Sequence, residues 1–321
     1  MDKQFELLYR TGIVPVINIE NPENAAPLAK ALCAGGIPLI EVTLRNDSSL
    51  ESIERIHQAV PDMTLIAGTI QSVDAVKEAL AAGAAAMVAP SYQKKTVEYC
   101  IEAKIPIIPC CVTPTEIQDA LDMGLNTLNY FPAQRDGGVV AIKDLAGPFK
   151  GVKFVPSGGI SIRDLPEYLS CDAVAAVGGS FVAKPDLIAS HNWDAITNNC
   201  KQCLELSLGF ELAHIGFNAI NKEEALATAE AFNKRFPLGV KVGNGKSSFL
   251  GTAVEFMHTP YYGTHGHIGF RTNSVERAKA YFESQGIENQ EDSISYSANG
   301  SMKSFYLKDE VGGFAMHVMK K

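Results

Sequence analysis

The chain has 321 residues, 46% of them hydrophobic, which suits about two domains with sizeable cores. A formal charge of -8 and the lack of any Lys/Arg stripe argue against a nucleic-acid partner and leave small molecules as the expected ligands. Acidic residues stand in Met1 to Glu6 where a signal peptide would be basic, and no run of about 20 apolar residues follows, so a cytoplasmic protein with no membrane partner is expected.

From Gly12 onward, apolar β-branched runs alternate with amphipathic runs. Ile13 to Ile19 reads as a strand and Pro22 to Cys33 as a helix; Ile37 to Arg45 and Ser48 to Val60 repeat the unit. Thr64 to Ile70 with Val73 to Ala82, Ala85 to Pro90 with Lys94 to Ala103, and Pro106 to Val112 with Pro114 to Met123 continue it. Thr127 to Pro132 with Val139 to Ala146, Lys153 to Ser157 with Ile162 to Leu169, and Ala173 to Ser180 with Trp193 to Leu206 bring the count to eight. Strands apolar on both faces imply a parallel sheet covered by helices, and eight such units close a (β/α)8 TIM barrel, expected over residues 1–207. The seven cysteines lie in apolar segments and read as reduced, buried thiols. Cys200 and Cys203 form a C-x-x-C on an expected helix with no second pair, which favours packing over metal or redox chemistry.

In such a barrel, function sits at the C-terminal ends of the strands, and here those ends are rich in polar residues and glycine. Glu41, Thr43 and Arg45 share one parity on the second strand and face the barrel axis, where an acid and an arginine are costly unless they meet each other or a ligand. Arg45 can grip a carboxylate with its forked donors, and Glu41 is placed to shuttle protons. The glycine pairs Gly158-Gly159 and Gly178-Gly179 end strands seven and eight, and a short helix follows Lys184; together they mark a phosphate site.

Gly12-Ile13-Val14-Pro15-Val16, Glu41-Val42-Thr43-Leu44-Arg45, Ala67-Gly68-Thr69, Ile105 to Pro109, Tyr130-Phe131-Pro132-Ala133, Ala146 to Phe149, Pro156 to Ser161 and Gly178-Gly179-Ser180 resemble, in order and spacing, the motifs of the KDPG/KHG aldolases. Members of that family are (β/α)8 barrels, commonly trimeric, that split 2-keto-3-deoxy-6-phosphogluconate into pyruvate and glyceraldehyde 3-phosphate or cleave 4-hydroxy-2-oxoglutarate. The resemblance implies that Glu41 is the proton shuttle and that Arg45 and Thr69 hold the pyruvate carboxylate, with Pro90 and Phe131 completing the substrate-binding set. It also implies that Ser157, Gly158, Gly159, Gly179 and Ser180 bind phosphate, that the barrel needs no cofactor, and that the chain forms a homotrimer.

The departure is central. The family's Lys-Phe-Phe-Pro-Ala-Glu pattern, whose lysine forms the Schiff base, stands here as Asn129-Tyr130-Phe131-Pro132-Ala133-Gln134. A carboxamide nitrogen has no nucleophilic lone pair, so Asn129 cannot form an iminium with a ketone. Ser91, Cys110, Cys111 and Gln134 depart from the pattern as well. Lys153 would lie ~13 Å below the barrel mouth, and Lys94 and Lys95 are expected to face solvent, so none of them replaces the missing amine.

After Leu206 the strands shorten, and Ala213-His214-Ile215-Gly216-Phe217 returns as Gly266-His267-Ile268-Gly269-Phe270, 53 residues on. Each copy leads into a helix and several strands, which predicts an α+β domain of two β-α-β-β-β modules over residues 208–321. This half resembles the vicinal oxygen chelate superfamily of glyoxalases and ring-cleaving dioxygenases, whose first and last module strands point ligands into a cupped sheet. The matching positions are His214, Glu255, His267 and His317, a set suited to divalent zinc, nickel, manganese or iron; His258 and His265 are expected at the surface.

Three functions follow. The first is an aldolase-family lyase acting on a 2-keto-3-deoxy sugar acid phosphate or 4-hydroxy-2-oxoglutarate by a non-standard route around Asn129. The second is a barrel that only binds a small anionic keto or sugar acid while the metal domain carries an isomerase-type or other metal-dependent reaction. The third is a non-catalytic sensor.

Overall fold

Eight short parallel strands build the first half of the chain: β1 (Ile13–Ile17), β2 (Leu39–Thr43), β3 (Thr64–Gly68), β4 (Ala86–Val88), β5 (Ile107–Ile108), β6 (Thr127–Tyr130), β7 (Lys153–Pro156) and β8 (Val177–Gly179). Six pair in the order β5-β4-β3-β2-β1-β8, and β6 pairs with β7. Isolated parallel bridges join these two sheets, Cys110 to Asn129 on one side and Ser157 to Gly178 on the other, which carries the strands round a barrel. Their apolar residues are needed on both faces: Ile13, Ile40, Val42, Ala67 and Met87 are all fully buried. The computed structural model describes residues 3–243, 245–298 and 300–321. Two compact units result, Met1–Ser207 and Leu208–Lys321.

The barrel helices are α1 (Lys3–Thr11), α2 (Ala25–Ala34), α3 (Ser49–Ala59), α4 (Val73–Ala81), α5 (Lys94–Glu102), α6 (Pro114–Asp122), α7 (Gly138–Ala146), α8 (Leu165–Leu169), α9 (Pro185–Ala189) and α10 (Trp193–Leu208). Their starts follow from local chemistry. Ser72 Oγ accepts the backbone N–H of Ala75, and Thr113 with Glu116 forms a capping box just ahead of Pro114. The strands are shorter than their apolar runs. The run from Thr64 to Ile70, for instance, stops pairing at Gly68 because Thr69 turns into the left-handed region with φ 62°. Helix α1 was not expected from the sequence; Tyr9 on it shares a 2.9 Å hydrogen bond with Thr127 of β6. Cys200 and Cys203 are buried free thiols on α10, packed into the barrel core.

In the second unit β9 (Glu211–Asn218), α11 (Lys222–Asn233), β10 (Val240–Val242), β11 (Ser247–Leu250) and β12 (Val254–Met257) form one module, and β13 (Gly266–Thr272), α12 (Val275–Ser284), β14 (Asn289–Tyr296), β15 (Met302–Val311) and β16 (Phe314–Lys320) the other. All eight strands make one sheet, in the order β10-β11-β12-β9-β13-β16-β15-β14. The repeat is visible in detail. Asn221 and Ser274 cap the two helices in the same way, and each helix covers its own small core, Ala225, Ala229, Leu250 and Phe256 under α11 and Val275, Ala278, Phe305 and Val318 under α12. No described helix is long and apolar enough to cross a membrane.

Candidate functional site

The C-terminal ends of the barrel strands open into a cavity of about 590 Å³. Strand β2 supplies Glu41 and, just beyond it, Arg45; β3 leads to Thr69 and β4 to Pro90. Asn129 and Phe131 enter from β6, and Ser157, Gly158, Gly159, Gly179 and Ser180 from the ends of β7 and β8. Glu41, Arg45, Thr69, Pro90, Asn129, Phe131, Ser157, Gly158, Gly159, Gly179 and Ser180 therefore line one cavity, Gly178 does not, and Glu20 and His191 join it without having been anticipated.

Glu41 is 8% exposed, and its carboxylate makes no hydrogen bond or ion pair among the described residues. A Cβ on Gly68 would lie 2.1 Å from Glu41 Oε1, so the glycine is what admits the carboxylate between β2 and β3. Burial pushes the Glu41 carboxyl up from 4.5 to about 7, against the opposing pull of Arg45. The Arg45 Nε donates to Thr69 Oγ1 at 3.2 Å, which fixes the guanidinium plane and leaves its terminal amino groups for a ligand carboxylate. Thr69 holds the strained backbone described above, a cost that concentrates at functional sites.

Asn129 is 5% exposed. Ser157 Oγ donates to its Oδ1 at 3.3 Å, and its Nδ2 lies at the outer limit of hydrogen bonding, 3.5 Å, from the Ala89 carbonyl. None of the lining residues is a lysine. Lys153 instead donates to the Asp172 carbonyl, and Lys94 pairs with Glu98 at the surface. At the other end of the cavity Gly158 and Gly159 take φ values of 94° and 78°, which a side chain would strain, and a Cβ on Gly158 would meet the Phe131 ring at 2.8 Å. Gln134 accepts the Tyr168 hydroxyl at 2.8 Å and lies outside the cavity lining.

In the second unit His214, Glu255, His267 and His317 converge from β9, β12, β13 and β16, the four central neighbours of the sheet. His214 Nε2 is 3.1 Å from both His267 Nε2 and His317 Nε2, and Glu255 Oε2 is 3.2 Å from His267 Nε2 and 3.3 Å from His214 Nε2. Reciprocal glycines make the room. In the antiparallel pairing of β9 with β13, Gly216 lies opposite His267 and Gly269 opposite His214. A Cβ on Gly216 would be 2.2 Å from the His267 ring, and one on Gly269 would be 2.5 Å from His317 and 2.6 Å from His214.

These donors fit a divalent metal. The ligand nitrogens of His214, His267 and His317 all lie within 4.8 Å of one another, and Glu255 Oε2 stands within 3.3 Å of two of them, spacings that bonds of about 2.0–2.2 Å to one ion can span. Burial holds His214 below its ordinary value and takes His317 down to about 3, so both rings are neutral and offer lone pairs. Burial raises the Glu255 carboxyl, but hydrogen bonds from His267 and Ser247 outweigh it and keep the group ionised. His267 Nδ1 is buried without a partner, leaving that ring no hydrogen bond except through Nε2 among the donors. Tyr306, opposite His317 in the pairing of β15 with β16, stacks on its ring at 4.8 Å.

One expectation is corrected. His258 is not at the surface but 4% exposed, its Nε2 2.8 Å from Ser248 Oγ and its Nδ1 3.0 Å from the Gly245 carbonyl. It sits one residue past β12, where its backbone N–H donates to the Lys246 carbonyl at 2.8 Å beside the pairing of β11 with β12, and a run ending in Thr-Pro gave no sign of that. His265 is exposed, as expected.

The family described as KDPG and KHG aldolase matches residues 5–199. A 2-dehydro-3-deoxy-phosphogluconate aldolase of Treponema pallidum is 39% identical over 202 residues, 63% of this chain and 96% of that protein. The solved KDPG aldolase of Legionella pneumophila, with pyruvate captured at low pH as a covalent carbinolamine intermediate, is 36% identical with a TM-score of 0.60, over 62% of this chain and 97% of that one. The KDPG aldolase of Zymomonas mobilis ZM4 with 3-phosphoglycerate is 32% identical with a TM-score of 0.59, over 64% and 97% of the two chains.

Proposed function

Because the chain belongs to the KDPG and KHG aldolase family, we propose that its barrel takes the 2-keto acids of that family, a 2-keto-3-deoxy sugar acid phosphate or 4-hydroxy-2-oxoglutarate, and acts on them as a lyase site stripped of its amine. The observation that supports this reading is the convergence of every expected ligand-binding residue on one cavity that holds no lysine. Arg45 and Thr69 take the carboxylate, which a forked cation grips with two parallel hydrogen bonds. Gly158, Gly159, Gly179 and Ser180 take the phosphate through backbone N–H groups that a side chain at Gly158 or Gly159 would displace. Glu41 is the proton carrier, and Asn129 occupies the place of the nucleophile without its chemistry.

Titration calorimetry with 2-keto-3-deoxy-6-phosphogluconate tests the binding half of the proposal. The natural chain is expected to bind one molecule per barrel, and Arg45→Ala to weaken it by about 10- to 100-fold, the worth of a charge-assisted pair. Absence of binding, or an affinity indifferent to Arg45, would contradict it.

The four converging donors support a second reading for residues 208–321. We propose that they form a vicinal oxygen chelate domain in which His214, Glu255, His267 and His317 hold a divalent metal and run a separate, isomerase-type or other metal-dependent reaction. When bound, the metal supplies Lewis acidity toward a ligand with neighbouring oxygens. The chain's own residues set the charge and shape of the site: three imidazoles and one carboxylate would leave a divalent ion with net positive charge, and Ser247 holds Glu255 in place. Chelation is expected to remove about one metal per chain, by elemental analysis, and to lower the unfolding temperature of this unit. With free metal at 1,000 times its dissociation constant the stabilisation lost is about 4 kcal/mol. His317→Ala is expected to lose metal likewise, and retention of full metal content by that variant would sink the ligand assignment.

A further inference from the structure

The cavity lacks the amine for covalent chemistry, yet it keeps the two groups that proton transfer beside a carbonyl requires. We infer that the barrel catalyses enolisation of a bound 2-keto acid, with Glu41 removing a proton from the carbon next to the keto group and the Asn129 amide N–H holding the enolate oxygen. The inference rests on the reading that a 2-keto acid occupies this cavity, and it assigns that site an activity that needs no iminium.

The geometry of Asn129 carries the first half. Ser157 donates to Oδ1, so the amide is turned with its Nδ2 hydrogens away from Ser157. Nδ2 donates one of them to the Ala89 carbonyl at an N···O distance of 3.5 Å, and no second acceptor is found among the described residues for a side chain that is 5% exposed. A second amide hydrogen without a protein acceptor is costly to bury, and a ligand oxygen in the cavity that Asn129 lines would satisfy it. Such a pre-aimed donor favours an enolate over a ketone because the oxygen gains charge in the transition state.

Glu41 carries the second half. Its carboxylate is admitted into the cavity by the missing Cβ of Gly68 and has no hydrogen bond or ion pair among the described residues, while Arg45 is turned to Thr69. A structural acid would be paired; this one is left for a proton. Burial, which lifts its carboxyl to about 7, makes it a stronger base than an exposed carboxylate. The step balances without a co-reactant. The C–H bond breaks, its pair forms the C=C bond, the carbonyl π pair moves to oxygen beside Asn129, and the proton moves to Glu41. Reversal after exchange with solvent returns the same ketone with a solvent hydrogen.

Pyruvate in heavy water, followed by loss of its methyl proton resonance, reads the reaction directly, and saturation transfer on the same sample reads binding. The full chain is expected to exchange the methyl hydrogens above the buffer rate, with unchanged rates after borohydride treatment and after chelation. Glu41→Gln and Asn129→Ala are each expected to slow exchange by about 100-fold or more. Ser157→Ala, which removes the hydroxyl that turns the amide, is expected to slow it less. Binding without exchange overturns the inference and leaves the family reading standing; no binding overturns both. Exchange abolished by borohydride points to an iminium on a lysine, and exchange abolished by chelation to the metal site, and either result overturns it too.

Discussion

Asn129→Lys is expected to raise pyruvate release from 2-keto-3-deoxy-6-phosphogluconate on the order of 10³-fold or more over the natural chain, because it returns the nucleophile whose iminium accepts the electrons of the broken carbon-carbon bond. On the proposed reading the other groups are in place: Glu41 beside Gly68, Arg45 hydrogen-bonded to Thr69, and Gly158, Gly159 and Gly179 line the same cavity. The natural chain has only a single amide donor to offer the developing enolate, worth about 3 kcal/mol, whereas a protonated iminium removes the negative charge outright. Coupled oxidation of NADH by added lactate dehydrogenase measures release for both proteins. Equal rates would mean that the route does not pass through position 129.

The second large effect is on stability and comes from the same acid. Glu41 carries a carboxyl near 7 in the folded chain against an ordinary 4.5, raised by burial and only partly opposed by Arg45. The folded state thus binds this proton more tightly than the unfolded chain does. The resulting stability is fully present below about 4.5 and is lost as pH rises through about 7. The difference corresponds to about 3 kcal/mol, an order-of-magnitude figure. Glu41→Gln has no proton to lose, so its stability relative to the natural chain is expected to rise by up to this amount between pH 4.5 and 8. Arg45, Glu20 and His191 also face the cavity, and they are common to both proteins, so the difference isolates position 41. Trp193 is the one tryptophan of the chain and lies on α10 in the barrel, so its fluorescence in urea follows this unit. A difference that stays flat with pH would contradict the buried, proton-binding Glu41.

Much of this site was legible because barrel chemistry lies close to the pattern in the chain. Strand parity alone put Glu41 and Arg45 on one inward face, and Gly158, Gly159 and Gly179 at the ends of β7 and β8 marked part of the cavity lining. What sequence could not supply was the neighbour across the strand. Gly68 is an ordinary strand-end glycine until the neighbouring strand β2 places the Glu41 carboxylate 2.1 Å from where its Cβ would stand. The same is true of Gly216 and Gly269. The repeat showed them two residues after each histidine, but their role depends on an antiparallel register in which each glycine faces the other module's ring. His258 was misplaced for a related reason, since its burial is decided by Ser248 and Gly245, ten and thirteen residues back. Helix α1 escaped notice because a charged start with Leu8 as its one deeply buried leucine resembles an ordinary terminus.

The central claim is that the barrel keeps the family's binding groups while position 129 has lost covalent chemistry. Incubation with pyruvate and borohydride followed by intact-mass and peptide mass spectrometry tests it most directly. The natural chain is predicted to keep its mass while Asn129→Lys gains one reduced pyruvate at the substituted position. A pyruvate adduct on any barrel lysine of the natural chain would contradict the account.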